Sequence, residues 1–516
     1  MRLGRIGGWL LVGIWLPAIA LCIVFHSPAL ADMPQPSVGL TKIDLAQQYV
    51  GKASGGDGSP AYERVERAMA EKAMVDAHRL GVRFFRIAMP GYAPSTYGAP
   101  GDLDLWIKDP DQYWRAIDTM MADLRQSDIK IVPILMFNSS QFPAMTGERI
   151  TDLLRNPNSR SWQMLAKYVS QFVNRYRGSG MILFYELTAE LNLTADIDLL
   201  GYCAKTQKPD VCAVMSNFTT ADLVAFTGRF STLIKSLDPS ALVESGFSVP
   251  RPAAEHLRRR PASAGGKVDW TQDSIDELTT NLAVINKNMD IISVHIYLGQ
   301  ERGRFGSPTP VDLLGVIKKA ADRLGKPLFI GEFGDKNIRT AERDSFVDQT
   351  LDEIADLKVP YSTLWVWEYY QRKPYLSYDN VATLYNLEPG YTDRVLAHLV
   401  QTNEKFGIFP PPRDSTPPQV VITWPLDCRP YTGDVPIQAV ASAESGKVER
   451  VEFWLDDKMV NRAVAAPYST ILQFDGLSEG NHRLVAKVYD TSGNVGEYRT
   501  VLRVADTTHG GECSVP

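Results

Sequence analysis

Up to residue 406, short apolar and β-branched runs alternate with longer stretches in which apolar residues recur at helical spacing. The first pattern is typical of buried parallel strands, and the second of the helices that connect them. Two helical stretches, residues 62–80 and 221–237, end next to Gly81 and Pro239, residues that terminate helices. Eight strands are predicted, at residues 38–45, 82–89, 129–137, 181–187, 241–247, 290–297, 327–332 and 362–367.

Eight strands that each precede a helix, over roughly 370 residues, favour a (β/α)8 TIM barrel with enlarged loops over an open doubly wound sheet. The glycine-rich segment 51–60, GKASGGDGSP, lacks the G-x-G-x-x-G spacing of a dinucleotide site. We therefore interpret it as a flexible loop and not as a phosphate cradle.

The pattern changes at residues 407–418, GIFPPPRDSTPP, where clustered prolines predict a semi-rigid linker. Short strand-like runs separated by turn residues follow and predict a β-sandwich. These runs are residues 419–423, 435–441, 448–455, 482–489 and 497–504. The fold class is thus α/β, with a barrel at residues 32–406 and a small all-β sandwich at residues 419–516.

The N-terminus has the pattern of an export signal. Arg2 and Arg5 precede an apolar run at residues 8–25, and residues 27–31, SPALA, fit a signal-peptidase site. Cleavage after residue 31 predicts a periplasmic or extracellular protein, with no stable membrane insertion. The alternative is an uncleaved inner-membrane anchor, since the run approaches the length that spans a bilayer.

Charge and cysteines agree with export. Without Arg2 and Arg5, 52 basic and 60 acidic residues remain, a net charge of about −8, so there is no basic field for nucleic acid. Four cysteines remain after cleavage, and their spacing predicts two disulfides in an oxidising compartment, with free thiols as the alternative. The predicted pairs are Cys203 with Cys212 and Cys428 with Cys513.

Acids stand where two predicted strands end. In a barrel the carboxyl ends of the strands share one opening, which Glu190, after strand four, and Glu332, in strand seven, would both reach. Glycoside hydrolysis requires such a pair, one acid protonating the leaving oxygen and the other attacking the anomeric carbon. Either acid alone could instead cap a helix or pair with an arginine. Further strand-end candidates are Arg86, Asn138, His295, Tyr297, Trp365 and Trp367.

These motifs resemble the cellulase/β-mannanase superfamily of glycoside hydrolases, the family 5-like, clan A enzymes with a (β/α)8 barrel. The resemblance extends from about residue 38 to residue 406. It depends on Tyr185-Glu186-Leu187-Thr188-Ala189-Glu190, Val294-His295-Ile296-Tyr297 and Gly331-Glu332-Phe333-Gly334. It implies a retaining mechanism with Glu190 as acid/base and Glu332 as nucleophile. Similarly, residues 448–456, 480–482 and 489–494 resemble bacterial Ig-like modules.

The resemblance also implies roles for other strand ends. His295 would tune the acid/base, while Tyr297 and Arg86 would bind Glu332 and favour its ionised form. Trp367 would form the platform beneath the sugar, although each of these residues could equally be an ordinary core residue. Glu186 lies deeper in strand four, so we expect a buried acid with an arginine as its candidate partner.

Two positions depart from the family pattern. Ala189 replaces the asparagine that commonly precedes the acid/base and binds the sugar 2-hydroxyl. Strand three ends in Met136-Phe137-Asn138, without the histidine of many relatives. Three alternatives follow: another group such as Asn138 or Asn192 reaches the sugar in place of the missing amide, or the substrate differs, or the activity is weak.

Other features carry less information. The run Arg258-Arg259-Arg260 is expected to be a solvated helix end, and the seven histidines show no paired metal-ligand spacing, so no metal or other cofactor is predicted. No G-x-S-x-G elbow is present either. Two or three loop aromatics are expected to stack on a glycan, from the set Tyr92, Tyr97, Trp106, Phe142, Trp270, Tyr369 and Tyr370.

The sequence thus predicts an exported retaining glycoside hydrolase that cleaves a β-linked polysaccharide, such as a β-glucan, a mannan or a bacterial exopolysaccharide. The alternative is a glycan-binding or polysaccharide-assembly protein that keeps the barrel but has little or no activity. A third possibility makes the Ig-like module the working part and the barrel its scaffold. The sugar, the linkage and the oligomeric state stay open.

Overall fold

The computed structural model describes most of the chain after the predicted signal segment. The described residues are 35–51, 60–90, 102–206, 212–264, 268–297, 304–307, 309–334, 341–368, 393–411, 416–443, 447–474 and 476–504. The predicted signal peptide, nearly all of the glycine-rich loop and Cys513 lie outside them.

An eight-stranded parallel sheet forms the centre of the first part, in the order β5-β4-β3-β2-β1-β8-β7-β6. Asp290 N–H donates to the carbonyl of Val243 at 2.9 Å and joins the two ends of the sheet, which closes it into a barrel. All eight predicted strands are present. They are β1 (Ser37–Thr41), β2 (Phe84–Ala88), β3 (Lys130–Met136), β4 (Tyr185–Thr188), β5 (Val243–Glu244), β6 (Ile292–Tyr297), β7 (Leu328–Gly334) and β8 (Tyr361–Leu364).

Helices connect the strands and present one apolar face to them. In α7 (Arg160–Tyr176), Leu165, Val169 and Phe172 recur at helical spacing and are fully buried. The N-terminus of α7 is capped by Ser159, whose hydroxyl accepts from Trp162 N–H, and α9 (Thr220–Leu237) begins with a capping box of Thr219 and Asp222. The helices are α1 (Leu45–Val50), α2 (Pro60–Arg79), α3 (Asp102–Lys108), α4 (Pro110–Gln126), α5 (Gln141–Thr146), α6 (Ile150–Arg155), α7 (Arg160–Tyr176), α8 (Leu199–Thr206), α9 (Thr220–Leu237), α10 (Ala254–Arg259), α11 (Ile275–Ile285), α12 (Pro310–Arg323), α13 (Ala341–Asp356) and α14 (Asp393–Lys405).

Aromatic side chains fill the barrel at the amino ends of its strands. Phe184 contacts Phe329 and Tyr361, with ring centroids 5.0 and 5.4 Å apart, and Phe84 contacts Tyr361 at 5.9 Å. Because side chains alternate along a strand, the next inward positions after Phe84 and Phe184 are Arg86 and Glu186. The interior therefore changes from an aromatic floor to a charged layer as the strands approach their carboxyl ends.

A β-sandwich follows, with sheets β10-β16-β15-β12-β13 and β14-β11-β9. Its core contains Ile437, Val451, Phe453 and Leu484, all fully buried. The five predicted strands are present, and three short ones were not predicted: β10, β13 and β14. The strands are β9 (Gln419–Trp424), β10 (Pro430–Tyr431), β11 (Val435–Ser442), β12 (Val448–Leu455), β13 (Lys458–Ala463), β14 (Tyr468–Leu472), β15 (Gly480–Asp490) and β16 (Val495–Val504).

The sandwich contacts the barrel through helix α2. Lys72 and Asp76 lie on this helix with Nζ and Oδ2 2.5 Å apart, and both are buried. Ser442 of β11 lies within 2.8 Å of each Asp76 carboxylate oxygen. Barrel and sandwich thus share a buried polar contact. None of the described helices is long and apolar enough to cross a bilayer.

Candidate active site

A buried arginine forms the base of the site. Arg86 of β2 is fully buried, and its Nε and Nη2 donate to the two carboxylate oxygens of Glu186 at 2.7 and 2.5 Å. Its Nη1 donates to Glu332 Oε1 at 2.8 Å. Burial disfavours the cation, but the charges of Glu186 and Glu332 outweigh it and raise the pKa of Arg86. Glu186 is therefore the arginine's partner in the core and does not reach the opening.

Glu190 lies four residues beyond Glu186, where β4 has ended. Its backbone has φ of 54°, in the left-handed region, and its N–H donates to the carbonyl of Gly246 at 2.8 Å. The turn places the Glu190 side chain at the opening, with 40% of it exposed. The second acid of this segment is thus the one that solvent can reach.

Glu332 of β7 lies opposite, almost buried, and is held by three side chains. Arg86 donates to Oε1, the Tyr297 hydroxyl donates to Oε2, and His295 Nδ1 lies 3.5 Å from Oε2. Burial, followed by the charge of Glu332, raises the pKa of Tyr297 well above its usual range, so its phenol remains a donor. The carboxylate of Glu332 therefore has donors at both oxygens.

His295 links the two acids. Its Nδ1 lies 2.9 Å from Glu190 Oε1, so we assign the ring proton to Nδ1. Its Nε2 is buried beside Gly331, where a Cβ atom would lie only 2.8 Å from that nitrogen. One oxygen each of Glu190 and Glu332, together with a ring nitrogen of His295, lies within 4.8 Å of the others. The two acids that stand far apart in sequence thus meet at one opening.

The electrostatics of Glu190 differ from those expected for a proton donor. Burial raises its pKa, but hydrogen bonds with His295 and Ser248 and the charge of Arg86 together lower it below the usual value. At neutral pH, Glu190 therefore favours its ionised form.

The end of β5 supports Glu190, a contact that was not predicted from the sequence. The Ser248 side chain lowers the pKa of the Glu190 carboxyl group, and the Gly246 carbonyl accepts from Glu190 N–H. The signal was the polar run Glu244-Ser245-Gly246-Phe247-Ser248, in which acids and hydroxyls follow an apolar strand. Residues 244–248 are called the β5 end below.

Neither expected substitute for the missing asparagine is a free amide. Asn192 donates to Ser248 O at 2.8 Å and accepts from Ser248 N–H at 3.0 Å, so its amide is held by the backbone of the β5 end. Asn138 lies at the end of β3, and its Oδ1 accepts from the N–H and the hydroxyl of Ser140. The Asn138 amide oxygen is thus occupied.

The sugar platform assigned to Trp367 is wrong. Trp367 is fully buried, and its indole N–H donates to the carbonyl of Ala73 in α2 at 3.0 Å. β8 ends at Leu364, so strand alternation no longer fixes the direction of a residue three positions later. Trp365 is partly exposed and packs against a cluster that includes Ile43 and Val366. Trp365 is therefore the tryptophan with an accessible ring.

The loop aromatics differ in exposure. Trp106 and Phe142 are buried, so neither stacks on a glycan, whereas Trp270 is 60% exposed. Tyr92, Tyr97, Tyr369 and Tyr370 lie outside the described residues. In the arginine run, Arg258 and Arg259 both pair with Glu255, as expected of a helix end.

Cys203 and Cys212 form the first predicted disulfide. Cys428 is also disulfide-bonded, whereas Cys513 lies outside the described residues. Besides the two acids with His295, one further group among the described residues has metal-ligand geometry: His256, Asp273 and Glu277. Asp273 already accepts from Glu255 N–H, and Glu277 accepts from Ser274, so these carboxylates have donors without a cation.

In sequence, the chain resembles a known family in its C-terminal part. Residues 418–486 match the family model of a bacterial Ig domain. No curated protein matches the chain significantly in sequence.

Similar solved structures include three enzymes. The endo-β-1,4-mannanase from Thermotoga petrophila is 17% identical over 92% of this chain and 99% of its own, with a TM-score of 0.47. A glycoside hydrolase family 5 mannosidase from Rhizomucor miehei is 13% identical over 72% and 94%, with a TM-score of 0.47. The exo-β-1,4-mannosidase from Opitutaceae bacterium strain TAV5 is 14% identical over 72% and 60%, with a TM-score of 0.46. The chain's structural neighbours thus include family 5 mannanases and mannosidases, and its C-terminal sandwich matches a bacterial Ig domain.

Proposed function

We propose that the barrel is a retaining glycoside hydrolase for a β-linked polysaccharide, with Glu190 as acid/base and Glu332 as nucleophile. The observation that carries this proposal is that oxygens of the two carboxyl groups lie within 4.8 Å of one another. Retaining enzymes hold these groups about 5–5.5 Å apart, whereas inverting enzymes separate them by about 6.5–9.5 Å to admit a water molecule. The short separation supports double displacement.

In the first step, a carboxylate oxygen of Glu332 attacks the anomeric carbon while the bond to the leaving sugar breaks. Glu190 gives its proton to the leaving oxygen. Arg86 and Tyr297 orient Glu332 for this attack, because both donate to its oxygens. The product is a glycosyl ester on Glu332 and a protein with ionised Glu190.

In the second step, water attacks the same carbon from the side that the leaving sugar vacated. Glu190, now ionised, takes a proton from this water, and the ester bond to Glu332 breaks. The hydrogen bonds of Glu190 with His295 and Ser248 stabilise its ionised form, which suits the base of this step. Two inversions give net retention of the anomeric configuration.

The lowered pKa of Glu190 predicts an acidic pH optimum. The first step needs protonated Glu190, and the protonated fraction falls as pH rises through a pKa that lies below the usual value. We therefore expect kcat/KM for unactivated glycans to decline before neutral pH. A pH profile of kcat/KM on the best substrate measures this decline.

A substrate panel with matched variants tests the proposal. Mannans, β-glucans and bacterial exopolysaccharides should include at least one polymer from which the wild-type protein releases reducing ends. Glu332→Ala should lower kcat at least about a thousand-fold, since the covalent step is lost. Asp276→Asn is the control, because this barrel carboxylate is 94% exposed. Unchanged hydrolysis by Glu332→Ala would remove the assignment.

Glu190→Ala separates the acid from the base role. With an aryl glycoside whose leaving group needs no proton, this variant should form the ester but hydrolyse it slowly, because no base activates water. Added azide should then restore turnover and release a glycosyl azide of retained configuration. An azide product of inverted configuration would contradict double displacement.

Ala189 supports a second candidate function, glycan binding with little or no hydrolysis. A methyl group cannot make the hydrogen bond to the 2-hydroxyl that strengthens in the transition state, and the Asn192 amide is held by the Ser248 backbone. Binding on a glycan array without any cleavage would favour this function over hydrolysis.

We also propose that the protein acts outside the cytoplasm. The disulfide between Cys203 and Cys212 supports an oxidising compartment. Fractionation of producing cells, with the mass of the mature protein, tests export and cleavage after residue 31 together.

A further inference from the structure

The β5 end carries a buried acid that the reaction above does not use. Glu244 is the last residue of β5, and it pairs in register with Glu186 of β4. Neighbouring residues of parallel strands that pair in register point to the same side of the sheet. Both acids are fully buried. The charged layer of the barrel thus contains three acids around Arg86: Glu186, Glu244 and Glu332.

The hydrogen bonds leave one oxygen of Glu244 without a donor. Its Oε2 accepts from Gly246 N–H at 2.5 Å. Its Oε1 is buried and receives no hydrogen bond from the described residues. The carboxylate of Glu186 lies beside it, with each oxygen already accepting from Arg86. Two neighbouring buried acceptors repel each other unless one of them carries a proton and becomes a donor.

We propose that Glu244 is a positioning residue: as a neutral carboxylic acid it donates a hydrogen bond to Glu186, which holds Arg86 against the nucleophile Glu332. The catalytic consequence rests on the proposed function. Glu186 occupies Nε and Nη2 of Arg86 and leaves Nη1 for Glu332. Whatever fixes the Glu186 carboxylate therefore also fixes the guanidinium plane.

The charges of the layer agree with a proton on Glu244. Burial is the largest cause that raises its pKa well above the usual value, and the charge of Glu186 acts in the same direction. Arg86, the other charged group that acts on it, opposes this effect more weakly. Three ionised acids would leave two uncompensated charges beside one arginine, whereas a neutral Glu244 leaves one.

The backbone at Gly246 keeps the two strands close. Gly246 has φ of +71°, and a Cβ atom there would lie 1.6 Å from the carbonyl oxygen of Thr188 and 2.6 Å from Glu186 Oε1. Only glycine fits at this point, which allows the Glu244 carboxyl group to reach Glu186 directly.

Two variants test the positioning role. Glu244→Gln keeps an acceptor for Gly246 N–H and a donor for Glu186, so kcat should stay within about three-fold of the wild type. Glu244→Leu keeps the size but removes both bonds, so kcat should fall about a hundred-fold with little change in KM. If kcat falls as much in Glu244→Gln as in Glu244→Leu, the site needs an ionised carboxylate at this position and the proposal is wrong.

A second measurement does not depend on activity or on the folding of Glu244→Leu. The infrared spectrum near neutral pH should contain the carbonyl band of a protonated carboxylic acid, which Glu244→Gln should lack. Glu452→Gln is the control, because Glu452 is buried in the sandwich with a lowered pKa. Loss of the band in the control alone would overturn the proposal.

The pH dependence of the free energy of unfolding also tests whether Glu244 carries a proton. A raised pKa contributes stability below the unfolded value of about 4.3, and this contribution is lost as pH rises through the folded pKa. The free energy of unfolding of the wild type should therefore fall relative to Glu244→Gln as pH rises above about 4; parallel curves would contradict a proton on Glu244. Absence of hydrolysis in the wild type would contradict the proposed function, while both physical measurements still decide where the proton is.

Discussion

The two proposed catalytic acids are held by different donors, which separates their roles. Glu332 accepts from a guanidinium and a phenol, donors that keep their protons at neutral pH. Glu190 contacts an imidazole and a hydroxyl, and 40% of its side chain is exposed. Environments that differ in this way suit the two proposed roles, an oriented nucleophile for Glu332 and a proton carrier for Glu190.

Ser248→Ala should move the alkaline limb of kcat/KM to higher pH. The Ser248 hydroxyl lowers the pKa of Glu190, so its removal raises that pKa and keeps the acid protonated over a wider range. Activity at the optimum should stay within about ten-fold of the wild type, since only one donor is lost. Ser245→Ala is the control because the Ser245 hydroxyl contacts Asn286. An unchanged limb would show that Ser248 does not tune Glu190.

Arg86→Met should destabilise the fold as well as abolish activity. It leaves Glu186 buried without its cation, which typically costs about 3–5 kcal/mol, and removes a donor from Glu332. Arg83→Met, three residues earlier, should change the free energy of unfolding by less than about 1 kcal/mol, because the Arg83–Asp128 pair is exposed. Urea titrations measure the free energy of unfolding of both variants. Equal losses of stability would contradict the stabilising role of the buried Arg86–Glu186 pair.

Among single residues, sequence could identify those fixed by strand alternation or by a motif. Arg86, Glu190, His295, Tyr297 and Glu332 all come together at the opening. Trp367 was misplaced because it follows the end of β8. The Asn192 amide makes two hydrogen bonds with the Ser248 backbone, which the sequence did not indicate. Such contacts depend on the chain path between elements, which periodicity does not describe.

Among the elements, β5 is the shortest barrel strand and carries much of the support for the site. It spans only Val243–Glu244, yet its end binds Glu190 N–H and the Glu190 carboxylate and places Glu244 beside Glu186. A short strand followed by an extended polar segment exposes backbone groups that a longer ladder would have used. The β5 end therefore acts as the scaffold of the segment that carries Glu190, the proposed acid/base.

Gly246→Ala should separate this scaffold from β4. The new Cβ atom would lie 1.6 Å from Thr188 O, so the strand ends must move apart, and kcat should fall at least about a hundred-fold. Gly178→Ala is the matched control, with φ of +72° and no atom within 4 Å of the new Cβ. The control should cost about 1–2 kcal/mol from the left-handed backbone alone. Equal effects of the two variants on activity would contradict the packing argument.

The barrel strands could be predicted because apolar, β-branched runs mark strands that are buried on both faces. The sandwich was predicted less completely. β13, Lys458–Ala463, is partly exposed along its whole length, and β10 contains only two residues, so neither has a clear apolar pattern. Edge strands of this kind are formed by pairing with a neighbour, which the local sequence does not reveal.

In the whole molecule, the sandwich is anchored to the barrel by charge as well as by apolar contact. Arg64 pairs with Asp427 at 2.7 Å, and Arg79 donates to the carbonyl of Pro417 at 2.9 Å. Between them lies the buried group of Lys72, Asp76 and Ser442. A spacer that only separated the barrel from a surface would not need buried charges, so these contacts indicate a fixed position for the module.

Asp76→Ala should destabilise the protein by about 3–5 kcal/mol, because it leaves the Lys72 ammonium buried beside Ser442 with less compensation. Adding Lys72→Met should recover part of this loss, since the uncompensated charge is then gone. Glu71→Ala is the control: Glu71 pairs with Arg67 at the same spacing on the same helix but is 53% exposed, and its loss should cost less than about 1 kcal/mol. Urea titrations of the four proteins give the comparison. If the double variant is no more stable than Asp76→Ala, the buried pair does not hold the module in place.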